Sequence, residues 1–296
     1  MARQAEDAAA FDASWLAVRE PYDAAARAAP LARRFAAGLP PRPRILDLGA
    51  GTGSLFRWLA PRIGGDQHWV LADSDAVLLD HASAAIADWA AAQGWGFGMG
   101  GRAGQPSLLV ITPRGIWHIE RRLVDLARPP ALAGFDGVVC SALLDLVSAA
   151  WIARLAGALR APLLACLTVD GRDGLRPGDP RDRMIAAAFR RDQARDKGFG
   201  RALGTAAAAT LRAALAARDF EVAQLAADWR IPPRGRAMLA TLIAERARVA
   251  AWHLPGQRAA IAAWEHRRLG QIMAARLAMR VGHIDTLALP RGRRGS

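Results

Sequence analysis

Read for hydrophobic periodicity, the chain changes character near its middle. In the first half, short apolar runs alternate with longer amphipathic ones. Strands are predicted at Arg44–Leu48, His68–Ala72, Ser107–Ile111, Ile116–Leu126, Phe135–Cys140 and Pro162–Val169, with helices over about 53–62, 75–93 and 148–160. Two helices are expected before the first strand, over 3–19 and from Tyr22 to Gly38. Pro21 divides them, because proline lacks the N–H a helix needs. This rhythm predicts an α/β fold with a doubly wound, mostly parallel sheet. The stretch "GWGFGMGGRAGQP" (94–106) is too rich in glycine for an element interior and reads as a loop feeding a hairpin.

The second half is mostly helical. Helices are predicted at Arg181–Arg195, Thr205–Arg218, about 234–252 and about 256–281. Strands are predicted at Glu221–Ile231 and His283–Leu289, and "DKGFGRALG" reads as a glycine-punctuated loop. Neither an internal repeat nor a long linker separates the halves. The expectation is one domain over 1–296: an N-terminal helical segment (1–42), a core (43–170), and helical additions with the last two strands (171–296).

Composition narrows the class. Hydrophobic residues make up 52% of the 296, which excludes a disordered chain. No run approaches the roughly 20 apolar residues of a membrane span. The first residues carry acids and no apolar signal core, so a cytoplasmic protein is expected. Cys140 and Cys166 lie in apolar runs without metal-ligand spacing and read as buried hydrophobes; no metal site is expected. The net charge of +13 is almost wholly arginine, Lys197 being the only lysine. It is spread along the chain, and only the tail "RGRRGS" is purely basic, so a nucleic-acid partner is a weak alternative.

The chemistry concentrates in "RILDLGAGTGSLFRWLA" (44–60), a strand running through glycines into a helix. A phosphate-binding P-loop requires a lysine, which is missing. The dinucleotide fingerprint requires a third glycine where Ser54 stands. What remains is Asp47, Gly49, Gly51 and Gly53: an acid followed by three alternating glycines.

This pattern resembles motif I of the class I S-adenosyl-L-methionine (SAM)-dependent methyltransferases. The resemblance implies a seven-stranded Rossmann-like sheet, with SAM as cofactor. It implies that Asp47 receives the methionine ammonium and that the glycines lie against the ligand. Asp73, 24 residues after Gly49 at the end of the second strand, would hold the ribose hydroxyls, with Asp75, Leu78 and Leu79 matching the pattern that follows. A helix N-cap is the other reading of Asp73. Asp125 would face the adenine amino group, and Ser141 and Ala142 would line the methyl-donor pocket. These motifs cover residues 44 to about 170. The N-terminal segment would close the pocket, with Arg19, Tyr22 or Arg27 meeting the methionine carboxylate and Arg27 preferred.

Methyl transfer from a sulfonium is an in-line displacement that needs alignment and desolvation more than covalent chemistry. Candidate bases are His118, His253, His266, His283, Glu120 and Asp145. Asp145 leads, because relatives approach the acceptor there. In this family, insertions around the last strands build the substrate wall. Here they carry Arg183, Arg190, Arg191 and Arg201 with Phe189, Phe199, Trp229, Trp252 and Trp264, which would suit an anionic, partly planar small molecule. Tryptophans at helical spacing are otherwise core. The sequence departs from the family in placing about fifty residues between the last two strands, which could also form a homodimer contact. A small-molecule methyltransferase is the leading expectation. An RNA or protein methyltransferase and a non-catalytic SAM-binding protein are the alternatives.

Overall fold

The computed structural model describes residues 13–102 and 105–291. Residues 3–12 of the helix expected over 3–19, and 292–296 of the basic tail, therefore lie outside the described residues. Two helices, α1 (Ala13–Ala26) and α2 (Ala29–Ala37), precede the first strand, but Pro21 does not divide them. Pro21 and Ala17, whose carbonyl it leaves free, both lie on the exposed face of α1, where water can hydrate that carbonyl. The break falls at Arg27-Ala28, ahead of Pro30 in the first turn of α2.

Then follow β1 (Arg44–Leu48), α3 (Ser54–Ile63), β2 (Gln67–Asp73), α4 (Ala76–Ala92), β3 (Gly96–Arg102), β4 (Gln105–Thr112), β5 (Gly115–Leu123), β6 (Gly137–Ser141), α5 (Ala149–Ala158), β7 (Leu163–Val169) and β8 (Gly174–Arg176). The remainder is α6 (Asp182–Gln193), α7 (Ala207–Ala216), β9 (Phe220–Ala226), β10 (Trp229–Ile231), α8 (Arg236–His253), α9 (Arg258–Met273), β11 (Ala278–Val281) and β12 (His283–Pro290).

The doubly wound Rossmann-like sheet expected from the sequence is present, with order β3-β4-β5-β2-β1-β6-β7-β12-β9. Strands β5, β2, β1, β6 and β7 run parallel, and β12 is antiparallel to β7 and β9. The described sheet has nine strands where seven were expected. The β3–β4 hairpin lies on the β5 edge: β4 contains the predicted strand Ser107–Ile111, whereas β3 takes residues 96–102 of the stretch that read as a loop. Its glycines admit a close neighbour: a Cβ on Gly100 would sit 2.9 Å from the Leu109 side chain.

Side-chain alternation gives the sheet two apolar faces. Ile45, Trp69, Leu71 and Val139 pack with Phe35 of α2, Phe56 of α3 and Ile86 of α4. Leu46, Leu48, Val70 and Val138 pack with Trp151 of α5 and Leu211 of α7. Asp47 shares the first face with Ile45.

Two elements expected whole are divided. Glu221–Ile231 splits into β9, in the large sheet, and β10, in a small antiparallel sheet of order β10-β11-β8. Asp228 stands at the corner and accepts the His283 N–H (3.2 Å) and Arg280 Nε–H (2.9 Å), which lets the chain change sheets. The helix expected over 256–281 ends at Met273, and its last residues become β11. The small sheet packs with α6, α8 and α9 around Trp264, Leu239 and Ile243, forming a third core that also takes Trp15, Val18 and Tyr22 of α1.

Candidate functional site

Strand order reverses at β1: β2 lies on one side and β6 on the other. In open α/β sheets ligands bind outside the carboxyl ends of the strands at such a switch point. Asp47 and the glycine loop leave the end of β1, and Ser141 and Ala142 stand at the end of β6. The structure thus brings together the residues the sequence placed in separate motifs.

The loop turns through left-handed backbone at Gly49 (φ 68°), Gly51 (φ 53°) and Gly53 (φ 77°). Gly51 is also crowded: a Cβ there would meet Leu16 of α1 at 3.3 Å. Its N–H donates to Asp73 Oδ2 at 2.7 Å, and Asp73 Oδ1 accepts the Asp75 N–H at 3.0 Å. Asp73 is not the helix cap. Asp75 caps α4 by accepting the N–H groups of Val77 and Leu78. Burial raises the Asp73 carboxyl above its usual range, against the backbone hydrogen bonds that lower it.

Asp47 is 1% exposed, and neither carboxylate oxygen has a hydrogen-bond partner among the described residues. Burial pushes its carboxyl up to about 8; the Arg27 charge opposes this shift and Asp73 adds to it. Arg27, 4% exposed, ends α1 and straddles the switch point. It donates to the Ser54 carbonyl (3.2 Å), Ser54 Oγ (3.0 Å) and Ser141 Oγ (3.1 Å), and its Nε stays unpartnered.

Asp285, in the apolar strand β12, holds this corner. It accepts the Ala28 N–H (2.7 Å), next to Arg27, and the Leu167 N–H (2.7 Å). Glu20 of α1 pairs with Arg57 of α3, whose guanidinium also donates to the Thr52 carbonyl in the loop (2.6 Å). The sequence reading missed Leu16, Ser54, Arg57 and Asp285. Only Asp285 leaves a trace, as an acid inside an apolar strand.

The remaining predicted residues divide. Ala142 adopts φ 53°, a conformation that strains an L-residue, and its N–H donates to the Cys166 carbonyl (3.0 Å). Asp125 is exposed, beside the end of β2: the neighbouring Val124 N–H donates to the Asp73 carbonyl (2.8 Å), and Asp125 accepts the Ala127 N–H (2.8 Å). Asp145 is half-buried, with Oδ1 unpartnered, and burial pushes its carboxyl up to about 6 while Arg19 and Lys197 oppose the rise.

Arg19 instead pairs with Asp23 (3.0 Å) and lies over Trp229, while Tyr22 packs at Gly235. Glu120 pairs with His68 (2.9 Å), His253 with Asp192 (3.3 Å), and His118 and His266 are exposed. Burial holds the His283 imidazole down to about 4, with Arg19 adding to the shift; its ring lies 4.8 Å from Trp229. Of the residues expected to form a substrate wall, Arg183, Arg190 and Trp264 line one cavity of about 310 Å³, distinct from the glycine loop. Phe199 and Trp229 are core, and Trp252 is exposed.

The fold has likenesses among solved structures. It is similar to a SAM-dependent methyltransferase from Geobacter sulfurreducens in complex with S-adenosyl-L-homocysteine (15% identity, 89% of this chain and 92% of that one, TM-score 0.41). It is similar also to one from Thiobacillus denitrificans in the same complex (14% identity, 95% and 99% covered, TM-score 0.43). A third is the cyclopropane synthase MmaA2 from Mycobacterium tuberculosis (14% identity, 96% and 86% covered, TM-score 0.39). No protein-family model and no curated protein matches the chain. Among the described residues no helix is long and apolar enough to cross a membrane.

Proposed function

We propose that this chain is a class I SAM-dependent methyltransferase acting on a small-molecule acceptor. The observation that carries the reading is the unpartnered carboxyl of Asp47, buried at the switch point between Arg27 and Asp73. A buried polar group without a partner is costly, so such a group at a ligand position calls for a partner on the ligand. An ammonium supplies it through a charge-assisted hydrogen bond. Arg27 beside it suits a carboxylate, and Asp73 suits a pair of hydroxyls.

Ammonium, carboxylate and ribose hydroxyls are the polar groups of SAM. A dinucleotide fits less well, because its phosphates would face Asp47 and Asp73 with no lysine to hold them. When bound, SAM supplies a methyl group already activated on its sulfonium. The chain's own residues orient and desolvate it: Gly49, Gly51 and Gly53 offer bare backbone, and Ser141 and Ala142 form the wall toward β6. Asp125 is our candidate for the adenine amino group, a role supported by its neighbour Val124, whose N–H donates to the Asp73 carbonyl. Asp145 is our candidate to accept a proton from the acceptor. With its carboxyl near 6 it is largely ionised at pH 7. The N-terminal segment 1–42 serves as the lid, a role supported by Leu16 on Gly51 and the Glu20–Arg57 pair.

Two measurements test the reading. Calorimetry with S-adenosylhomocysteine should give saturable binding that weakens in Asp47→Asn. Incubation with methyl-labelled SAM and a metabolite extract, followed by mass spectrometry, should yield a labelled small molecule. Absence of binding overturns the cofactor assignment. Binding without any labelled product, across extracts, would favour a non-catalytic SAM-binding protein.

A further inference from the structure

The cavity of about 310 Å³ lies between β8, β11, α6, α8 and α9, at the small end of the roughly 300–1,000 Å³ range of ligand pockets. It sits on the carboxyl-end side of the large sheet, the side of the glycine loop. Its Asp173 accepts the Gly282 N–H (3.4 Å), and the adjacent His283 pairs with Val169 at the end of β7.

The walls are of two kinds. Leu175, Ile185, Met279 and Trp264 make an apolar surface, and Arg183, Arg190 and Arg246 make a cationic one. The acids in the cavity are already engaged. Asp182 accepts from Arg268 (2.5 and 2.6 Å), the Trp264 indole N–H (2.8 Å) and the Asp179 N–H (2.9 Å). Asp173 accepts from Arg246 (2.7 Å). Arg268 and Arg246 are thus matched by two carboxylates. Arg183 and Arg190 have no ion-pair partner among the described residues, and they stand seven positions apart on α6, two turns along one face. Ala186 lies between them on the same face, and Arg246, only 4% exposed, keeps its Nε unpartnered.

We propose that this cavity binds a small molecule with an oxyanion head, carboxylate or phosphate, on a flat apolar body. The head would meet the uncompensated guanidiniums of Arg183 and Arg190, which favour planar, two-point recognition of oxyanions. The body would lie on Trp264, Ile185 and Met279. That the occupant is the methyl acceptor rests on the function proposed above; its binding does not.

Calorimetry without SAM tests the site, with benzoate and phenyl phosphate as probes and benzyl alcohol as the uncharged control. At least one anion should bind ten times or more tighter than the alcohol. Arg183→Gln/Arg190→Gln should remove that preference, a tenfold loss corresponding to about 1.4 kcal/mol. Ala186→Phe, which fills the space between the arginines, should abolish binding of both anions. S-adenosylhomocysteine affinity, measured on the same variants, should stay unchanged. If neither anion outbinds the alcohol, or if both variants bind like the parent, the site is refuted. If S-adenosylhomocysteine fails to bind the parent protein while benzoate binds, the cofactor reading falls and this one stands.

Discussion

The glycine-loop corner and the α6–α9 corner each bury charge, and they treat it in opposite ways. Arg268 is 0% exposed and spends its donors on the Pro177 carbonyl, Gln271 Oε1 and both oxygens of Asp182. The Asp47 side chain is 1% exposed, and its carboxylate has no hydrogen-bond partner among the described residues. A buried ion with nearly every donor matched is a structural device. A buried acid left unmatched, at the end of a switch-point strand, is what the proposed function pairs with a ligand's ammonium. Folding stability and binding should therefore respond oppositely to substitutions at the two corners.

The largest effect is expected at the structural corner. Arg268→Ala leaves Asp182 without its main counter-charge and should lower the unfolding free energy by about 3–5 kcal/mol in urea titrations, with S-adenosylhomocysteine affinity unchanged. A loss below 1 kcal/mol would erase the contrast.

At the other corner, Asp47→Asn should weaken S-adenosylhomocysteine binding by about 1.5–3 kcal/mol by calorimetry, while leaving the fold as stable or more so. Its pH profile sharpens the point. The Asp47 carboxyl lies at about 8 when folded, against an ordinary 3.8. Between these values the folded chain therefore holds more protons than the unfolded one. The stability this contributes is complete below about pH 4 and is lost as pH rises through about 8, by at most about 1.4 kcal/mol per pH unit. Asp47→Asn should flatten that fall. An unchanged slope would mean that Asp47 is ionised in the free protein.

Asp73→Ala should cost binding roughly 1–3 kcal/mol, the range for losing charged hydrogen bonds. It also frees the Gly51 N–H, so a thermal-unfolding control separates the two effects. Unchanged affinity would remove Asp73 from the ribose role. The smallest change is expected at Asp125, which is exposed. Asp125→Ala should leave the unfolding midpoint in place and weaken binding by about 0.5–1.5 kcal/mol. A large loss of stability there would show that the Ala127 cap, rather than a ligand contact, is its work.

Within the candidate site, the residues with a local pattern were legible and their distant partners were not. Asp47, the three glycines and Asp73 stand out because close backbone approach and a strand-end acid demand particular residue types at short spacing. Arg27 could be named only through a family resemblance. Its partners Ser54 and Ser141 lie 27 and 114 residues away, and no local pattern carries such a separation. Pro21 misled because helix propensity is a local preference, whereas the packing of Trp15, Val18 and Tyr22 into the third core is not. The glycine-rich stretch misled for the same reason. Its strand exists because β4 pairs with it across seven registered positions.

By itself, the amino-acid order determined the alternation of strand and helix and the loop after β1. Each follows from periodicity or from a backbone conformation that few residues adopt. Tertiary structure alone decided which charges are matched. It paired Arg268 with Asp182 across 86 residues, buried the Asp47 carboxylate without a hydrogen-bond partner among the described residues, and set Arg183 and Arg190 in one cavity wall with Trp264. Whether a buried charge meets its partner depends on elements that meet only once the sheet and its added helices have packed.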